Sequence, residues 1–265
     1  MHWLKIGFQG FAIIYLLSII GVYLFQRAII FQEKKLPEDY VFQFSHPFEE
    51  LTIPTADSIC LNALFFKTEL PSKGAVLYLH GNADNLQRWA QYHEAYTVRG
   101  YDFLAIDYRG YGKSDGKPSY KGLLTDAQAA YDWIRHRYPP DSLIIVGRSL
   151  GTGLASALAA SYPAKQLILE TPYDDLRHAM MDRSWLWLPF PIQHPFRTAE
   201  HLPKVEYPVC IFHGTRDKVI PFQSADRLQP ILKERDLFVV IPKAGHKDFT
   251  GFPQYGATLD KILGN

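Results

Sequence analysis

Ser149 lies at the centre of a Gly-x-Ser-x-Gly pentapeptide, Gly147 to Gly151, which follows a β-branched apolar run and precedes an alanine-rich stretch. A strand that turns sharply at a serine and continues as a helix is the sequence form of a nucleophile elbow. The glycines are needed because side chains at those positions would collide with neighbouring backbone, while the serine itself sits in a strained conformation. The helix N-terminus offers N–H groups to a developing oxyanion. A small-residue turn without chemistry also fits this short pattern, so the prediction of a nucleophile depends on suitable partners elsewhere.

A nucleophilic serine needs an imidazole base, and the base needs a carboxylate that fixes its tautomer. Functional groups of open α/β sheets lie at the carboxyl ends of the strands. Asp217 and His246 each follow a predicted strand, and the order Ser149, Asp217, His246 is the one expected for serine, acid and base. Asp174 and Asp175 follow another strand and remain an alternative source of the acid.

Four further polar residues lie near these strand ends. His80 and His213 are interpreted as structural hydrogen-bonding groups. Arg148 precedes the serine, where it could meet an anionic substrate, although an anchoring role for a loop is favoured. Asp248 is interpreted as a solvated loop residue.

The elements that must position these groups alternate between strands and helices. The continuous apolar run 75–79 is typical of a central parallel strand. The alternation predicts an α/β fold with a mostly parallel, doubly wound sheet and an antiparallel beginning. Strands are predicted near 51–53, 59–66, 75–79, 101–106, 142–147, 166–170, 209–212 and 237–241, and helices after residue 85, over 120–138, after residue 149 and around 223–232.

Composition excludes several classes of function. The chain has 265 residues, 47% hydrophobic and 21% charged, enough for a substantial α/β core. A net charge of +1 without a basic block gives no case for nucleic acid. Cys60 and Cys210 are predicted to be buried free thiols, and no Cys/His cluster has zinc spacing. The stretch 107–114 is similar to a phosphate loop, but the first glycine of that motif would fall on Asp107, so nucleotide binding is not predicted there. The sequence predicts no cofactor and no metal.

The N-terminus carries a run without charged residues from Ile6 to Phe25. About 20 apolar residues match the thickness of a bilayer core. Bulky Phe25, Gln26 and Arg27 follow where small residues would mark signal cleavage. We therefore expect a single-pass transmembrane anchor at 1–26, a juxtamembrane connector at 27–49 and a membrane location. The flanking charges are too evenly balanced to orient the main domain.

The motifs together resemble those of the α/β-hydrolases, and in particular the membrane-anchored α/β-hydrolase-domain serine hydrolases of the serine aminopeptidase-like and esterase branch. The resemblance covers residues 50–265 and includes the N-terminal anchor. Asp84 stands where many relatives carry glycine. The matching segments are His-Gly-Asn-Ala-Asp-Asn at 80–85, Asp-Tyr-Arg-Gly-Tyr-Gly-Lys-Ser at 107–114, Gly-Arg-Ser-Leu-Gly at 147–151, His-Gly-Thr-Arg-Asp at 213–217 and Gly-His at 245–246.

The resemblance implies an α/β-hydrolase fold for residues 50–265, with Ser149 as nucleophile, His246 as general base and Asp217 as its orienting acid. It also implies an oxyanion hole formed by the backbone N–H groups of Asn82 and Leu150. The expected activity is hydrolysis of carboxylic esters or thioesters, lipid-like ones included, through an acyl-enzyme. Two alternatives stay open: amide cleavage by a serine peptidase of the same fold, and a non-catalytic scaffold.

A lid insertion is expected at about 171–205, with the aromatic segment 185–191 at its centre. The rings either pack on the top of the sheet or form an acyl-binding wall that dips into a membrane. The sequence does not decide between these two interpretations, nor does it specify the oligomeric state.

Overall fold

The computed structural model describes residues 2–183 and 192–264, and the side chains of its first helix from residue 9 onward. The strands are β1 Gln32–Glu33, β2 Phe48–Pro54, β3 Cys60–Phe66, β4 Gly74–Leu79, β5 Ala83–Asp84, β6 Tyr101–Ile106, β7 Leu143–Arg148, β8 Gln166–Glu170, β9 Val209–Gly214 and β10 Leu237–Ile241. The α-helices are α1 His2–Leu24, α2 Gln26–Ile30, α3 Leu86–Trp89, α4 Glu94–Thr97, α5 Tyr120–Arg135, α6 Leu150–Ala159, α7 Leu176–Arg183, α8 Thr198–His201, α9 Phe222–Asp226 and α10 Pro253–Leu263. Short 3₁₀ turns are formed by Ala90–His93, Pro140–Ser142, Leu202–Lys204, Gln229–Ile231 and Phe249–Gly251.

Eight strands form one sheet in the order β10-β9-β8-β7-β4-β6-β3-β2. The six strands from β10 to β6 run parallel, and β3 and β2 join antiparallel at one edge. The predicted mostly parallel sheet with an antiparallel beginning is therefore confirmed. Because the parallel strands point the same way, their carboxyl ends meet along a single edge, which is where the chemistry predicted from the sequence should assemble.

The core is made of two apolar layers, one on each face of the sheet. Strands β4 and β7 are buried along their whole length, which explains their uninterrupted apolar sequences. Helices α5 and α6 cover one face, and the segment from α3 to α4 together with α10 covers the other.

Helix α5 illustrates how local sequence sets an element. The Ser119 hydroxyl accepts a hydrogen bond from the Gly122 N–H and caps the N-terminus. The helix ends at Arg135, three residues before the predicted end at 138. Its buried stripe repeats at helical spacing and consists of Leu123, Ala127, Ala130, Tyr131 and Ile134.

The N-terminal apolar run folds as α1, His2–Leu24. None of the helices within residues 2–183 and 192–264 combines the length and the apolar character that crossing a bilayer requires. The expectation of a transmembrane anchor at 1–26 is corrected accordingly: the run forms a helix but not one that qualifies as a span.

The predicted connector does more than join two parts of the chain. Residues 26–36, which we call the strap, comprise α2, β1 and the residues that follow them. Strand β1 pairs in parallel with β5 through Gln32↔Ala83 and Glu33↔Asp84. The strap thus lies directly against the loop that follows β4.

Two other expectations need comment. Both cysteines are free, but only Cys210 is buried, whereas Cys60 is exposed at the first residue of β3, next to the turn of the β2–β3 hairpin. Of the lid expected at 171–205, the structure describes 171–183 and 192–205, including α7 and α8. The aromatic segment 185–191 lies outside the described residues.

Candidate active site

Ser149 connects β7 to α6 with φ +51° and ψ −116°, the strained backbone expected of a nucleophile elbow. A Cβ on Gly147 would lie 2.5 Å from the carbonyl oxygen of Gly151, and one on Gly151 would lie 2.0 Å from that of Leu79. No side chain fits at either position. The steric reason inferred for both glycines is therefore confirmed.

Asp217 lies in the turn that follows β9 and is held by its immediate neighbours. Its Oδ1 accepts the N–H groups of Val219 and Ile220, at 2.8 and 2.9 Å. Its Oδ2 lies 2.7 Å from Nδ1 of His246, a residue 29 positions further along the chain. The carboxylate therefore orients the imidazole and leaves Nε2 as the nitrogen available to a substrate or a nucleophile.

The alternative acid residues do not reach this histidine. Asp174 Oδ2 instead contacts Nδ1 of His178 and Nε of Arg227, at 2.6 and 3.0 Å. Among the described residues no hydrogen bond joins the Ser149 hydroxyl to His246. Such contacts are often long before substrate binds, so the relation of the two residues has to be argued from the segments that carry them.

Arg148, the residue before the serine, ties the histidine loop to the elbow. Its guanidinium donates hydrogen bonds of 3.4 Å to the carbonyl oxygens of His246 and Lys247. The side chain is only 1% exposed. The guanidinium lies over the rings of Trp89, Tyr92 and Phe249, and its Nη1 is 3.6 Å from Glu170 Oε2. These contacts assign Arg148 the loop-anchoring role favoured from the sequence and place the histidine loop beside the elbow.

Glu170 completes this buried charge cluster. Burial raises the pKa of its carboxyl, whereas the charge of Arg148 and the hydroxyls of Tyr255 and Tyr96 oppose the rise. The Tyr255 and Tyr96 hydroxyls donate to Oε1 at 2.6 and 3.2 Å. A buried ion pair that also receives neutral donors is costly to break from one side only.

The two predicted oxyanion donors come from different segments of the chain. Leu150 is the first residue of α6, and Asn82 lies between β4 and β5. Neither backbone N–H finds an acceptor among the described residues. Both residues line the same pocket as Ser149. This arrangement can stabilise negative charge that develops on a carbonyl oxygen.

The Asn82 carbonyl oxygen, in the peptide that follows the predicted N–H donor, is held by two donors from distant parts of the chain. The Gln32 N–H donates to the Asn82 carbonyl oxygen at 3.0 Å, and the Tyr111 hydroxyl donates to the same atom at 2.8 Å. The Asn82 side-chain amide donates to the carbonyl oxygen of Ile30 at 3.2 Å. Sequence reasoning found Asn82 but missed these three supports, of which only Tyr111 lies in a motif quoted from the sequence.

His80 and His213 carry structural rather than basic roles. Burial lowers the pKa of His80 to about 4, and its Nδ1 contacts the Gly81 carbonyl at 2.6 Å. Burial also lowers the pKa of His213, although the charge of Asp217 opposes this. His213 Nε2 lies 3.0 Å from the carbonyl of Ile220. Both rings are therefore neutral at pH 7 and help shape the loops that they contact.

Asp84 and Asp248 each stabilise a turn. Asp84 has a φ of +68°, in the region that favours glycine, the residue that the family resemblance leads one to expect there. Its carboxylate forms an ion pair with Arg88 at 2.6 Å. Asp248 accepts the Gly245 N–H at 2.6 Å and so closes the turn next to His246.

A pocket of about 110 Å³ opens at Ser149. Its lining is mainly apolar, Arg183 is its single charged residue among those described, and none is acidic. The described lining residues are Ile29, Ile30, Gln32, Asn82, Ser149, Leu150, Tyr173, Leu176, Ala179, Met180, Arg183, Val219 and Ile220.

The sheet order, the strained serine at the end of a parallel strand and the acid–histidine pair define the class of α/β-hydrolase-like proteins. Residues 71–193 match the family model described as serine aminopeptidase, S33. The chain is 31% identical over 203 residues to an uncharacterised protein of Mycobacterium tuberculosis, covering 75% of this chain and 72% of that one. It is 35% identical over 178 residues to lysophosphatidylserine lipase ABHD12 of Danio rerio, covering 59% of this chain and 47% of that one.

Among solved structures, an esterase of Pyrococcus furiosus superposes with a TM-score of 0.70 at 18% identity, covering 89% of this chain and 97% of that one. This likeness supports the fold. Together with the sequence relatives it shows that the chain belongs to the α/β-hydrolase superfamily.

Proposed function

We propose that the protein is a serine hydrolase that cleaves carboxylic esters or thioesters through an acyl-enzyme on Ser149. The observation that carries the proposal is the pocket at the strained serine, with two unpaired N–H groups beside it and a histidine loop anchored to the preceding residue. The names of two similar proteins, an esterase and a lysophosphatidylserine lipase, favour the same chemistry.

In the proposed cycle the Ser149 hydroxyl attacks the carbonyl carbon, and His246 Nε2 takes its proton. The oxyanion is stabilised by the N–H groups of Asn82 and Leu150. Collapse of this intermediate expels the alcohol or thiol, which takes the proton from His246, and leaves an acyl group on the serine. Water, deprotonated by His246, then attacks the acyl carbon, and the acid leaves as the serine regains its proton. Asp217 stabilises the imidazolium in both halves without being protonated itself.

The pocket favours esters over aminoacyl amides. A peptidase that binds a free amino terminus needs an acidic group for the ammonium, because a buried charge must be paired. No acidic side chain is present among the described residues that line this pocket, and its single cation would repel an ammonium. The apolar walls suit an acyl chain instead.

The test is labelling with a fluorophosphonate, followed by turnover of p-nitrophenyl butyrate, the uncharged thioester S-phenyl thiobutyrate, and leucyl p-nitroanilide. We expect a label on Ser149 and turnover of the ester or thioester well above that of the anilide. Ser149→Ala should abolish both. Ser156→Ala is the matched control, because Ser156 is a buried serine of α6 whose hydroxyl donates to the Gly153 carbonyl oxygen of the same helix.

Other outcomes would reject parts of the proposal. Absence of a label on the folded wild type would favour a non-catalytic scaffold. Labelling combined with preference for the anilide would favour the peptidase. Labelling that persists in Ser149→Ala would place the nucleophile elsewhere.

We further propose that the protein works at a lipid surface. The support is the apolar surface of α1, where Phe11, Ile14 and Leu17 are 57%, 66% and 61% exposed. Contiguous apolar surface of this kind is unusual on a monomeric protein in water. Flotation of the full-length chain with phosphatidylcholine vesicles tests the proposal: the wild type should float, and Ile14→Glu/Leu17→Glu should remain in the dense fraction. A wild-type chain that stays dense would reject it.

A further inference from the structure

We propose that the strap forms the acyl-selecting wall of the active site and that Ile29 sets the length of the acyl chain accepted. This inference rests on the proposed function, since it assumes that an acyl group occupies the pocket at Ser149. It assigns a specificity role to a segment that the sequence marked only as a connector.

The first argument is the position of the strap in the pocket. One wall of the pocket is formed by Ile29, Ile30 and Gln32. Another part of the pocket is lined by residues of α7, among them Leu176 and Met180. Ile30 is 4% exposed and belongs to the core, whereas Ile29 is 41% exposed. Ile29 can therefore change in size without opening a cavity in the core.

The second argument is that the strap is firmly attached. The Gly112 N–H donates to the Lys34 carbonyl, and the Leu36 N–H donates to the Gly112 carbonyl, both at 3.0 Å. The Asn85 side chain donates to the same Lys34 carbonyl at 3.1 Å, and the Lys35 ammonium donates to the Ser114 carbonyl. These bonds attach the strap to two separate loops, so that its pocket-lining residues have a defined position.

The inner side of the strap is fixed by packing. Phe31 is buried and packs edge-on against the rings of His194 and Phe196, with centroid distances of 4.9 and 6.2 Å. The Gln26 side chain accepts the Gln193 N–H at 2.7 Å. The strap is therefore held between the loop after β4 and the segment that precedes α8.

The third argument links the wall to the reacting carbonyl. Ile30 accepts a hydrogen bond from the Asn82 side chain, and Gln32 donates to the Asn82 carbonyl. Ile29 is thus adjacent in sequence to a residue that directly supports an oxyanion donor. An acyl chain whose carbonyl is seated at Asn82 must extend past this wall, and in a pocket of about 110 Å³ the bulk at position 29 limits its length.

The experiment compares the full-length wild type with Ile29→Trp and Ile29→Ala on p-nitrophenyl acetate, butyrate and octanoate. The ratio of kcat/KM for octanoate to that for acetate should fall about tenfold in Ile29→Trp and rise severalfold in Ile29→Ala, because discrimination per methylene in an apolar pocket is of this order. Val98→Trp is the matched control: Val98 is an exposed apolar residue outside the pocket, and its variant should keep the wild-type ratio.

The proposal is overturned if both Ile29 variants keep the octanoate-to-acetate ratio within twofold of the wild type, or if Val98→Trp shifts it equally. If circular dichroism shows that Ile29→Trp is unfolded, Ile29→Ala decides alone. Fluorophosphonate labelling of Ser149 separates the two levels. A labelled enzyme with an unchanged chain-length profile refutes the role of the strap only, whereas an unlabelled, inactive wild type refutes the proposed function and this inference together.

Discussion

The two halves of the candidate site around Ser149 are built in different ways. In one half, the constraints are steric or made by close neighbours in the chain: Gly147 is closed in by Gly151, Gly151 is closed in by the Leu79 carbonyl oxygen of the paired strand β4, and Asp217 is held by residues two and three positions further on. In the other half, the carbonyl oxygen of Asn82 is held by Gln32 and Tyr111, which lie 50 residues before Asn82 and 29 after it.

The difference separates a rigid half from an adjustable one. The steric constraints of the elbow persist whenever β4, β7 and α6 pack together, so the elbow tolerates almost no substitution. The oxyanion side depends on several hydrogen bonds made between distant segments, each of modest net energy. Single changes there should tune catalysis instead of abolishing it.

The largest effect should come from the acid of the local half. Asp217→Asn should lower kcat about 10⁴-fold, because the amide no longer selects the tautomer of His246 that can accept the serine proton. Steady-state kinetics on p-nitrophenyl butyrate measures the loss. Asp226→Asn, at an exposed aspartate of α9, is the control and should retain activity. Retained activity in Asp217→Asn together with loss in Asp174→Asn would show that the acid had been assigned to the wrong residue.

Next, Gly151→Ala should destabilise the fold by about 3–5 kcal/mol, since the added Cβ would lie 2.0 Å from the Leu79 carbonyl oxygen and the backbone must move. Urea denaturation measures the shift in midpoint. At Gly251 an added Cβ meets nothing within 4 Å, so Gly251→Ala should change stability little. Equal stability of the two variants would contradict the steric account of the elbow.

A smaller effect concerns the pH dependence of stability, to which the buried His80 contributes. Its pKa of about 4 in the folded protein lies below the value of 6.5 for an unperturbed histidine. As the pH falls, His80 therefore binds a proton in the unfolded chain before it does so in the folded protein. The stability that depends on a neutral His80 is fully present above about pH 6.5 and is lost progressively towards pH 4. The loss amounts to about 3 kcal/mol.

Unfolding midpoints measured from pH 7 to pH 4 test this, with His80→Gln expected to show a flatter dependence than the wild type. His136→Gln, at an exposed histidine after α5, should follow the wild type. An unchanged slope in His80→Gln would mean that His80 does not remain neutral in the folded state.

The smallest effect should come from one support of the adjustable half. Tyr111→Phe removes the hydroxyl that donates to the Asn82 carbonyl, while the Gln32 N–H still donates to the same atom. We expect kcat to fall about tenfold with KM nearly unchanged, as for a group that matters mainly in the transition state. Tyr131→Phe is the control, because its hydroxyl contacts the remote Pro163 carbonyl. A rise in KM with kcat preserved would assign Tyr111 to substrate binding instead.

Much of this architecture could be predicted from residue patterns alone. The apolar runs and their alternation with helices indicated the parallel sheet, and the requirement for two glycines indicated the strained serine. Because parallel strands end at the same edge, residues after those strands became candidates without any knowledge of distances. Neighbouring residues suffice as the cause of the strands, the helices and the close approach of Gly147 to Gly151. The close approach of Gly151 to Leu79 depends on the pairing of β4 with β7.

The strap illustrates what such patterns cannot reveal. Strand β1 is two residues long, too short for any periodicity, and the bonds of the strap to Asn82 and Gly112 use backbone groups that leave no mark on the sequence. Phe31 is buried where residues far along the chain, His194 and Phe196, fold against it. The contact of Asp217, in place of Asp174, with His246 was likewise decided by packing between distant segments. Residue types and short spacings therefore determined which chemistry the chain can support, while tertiary contacts between distant segments decided the shape of the pocket around it.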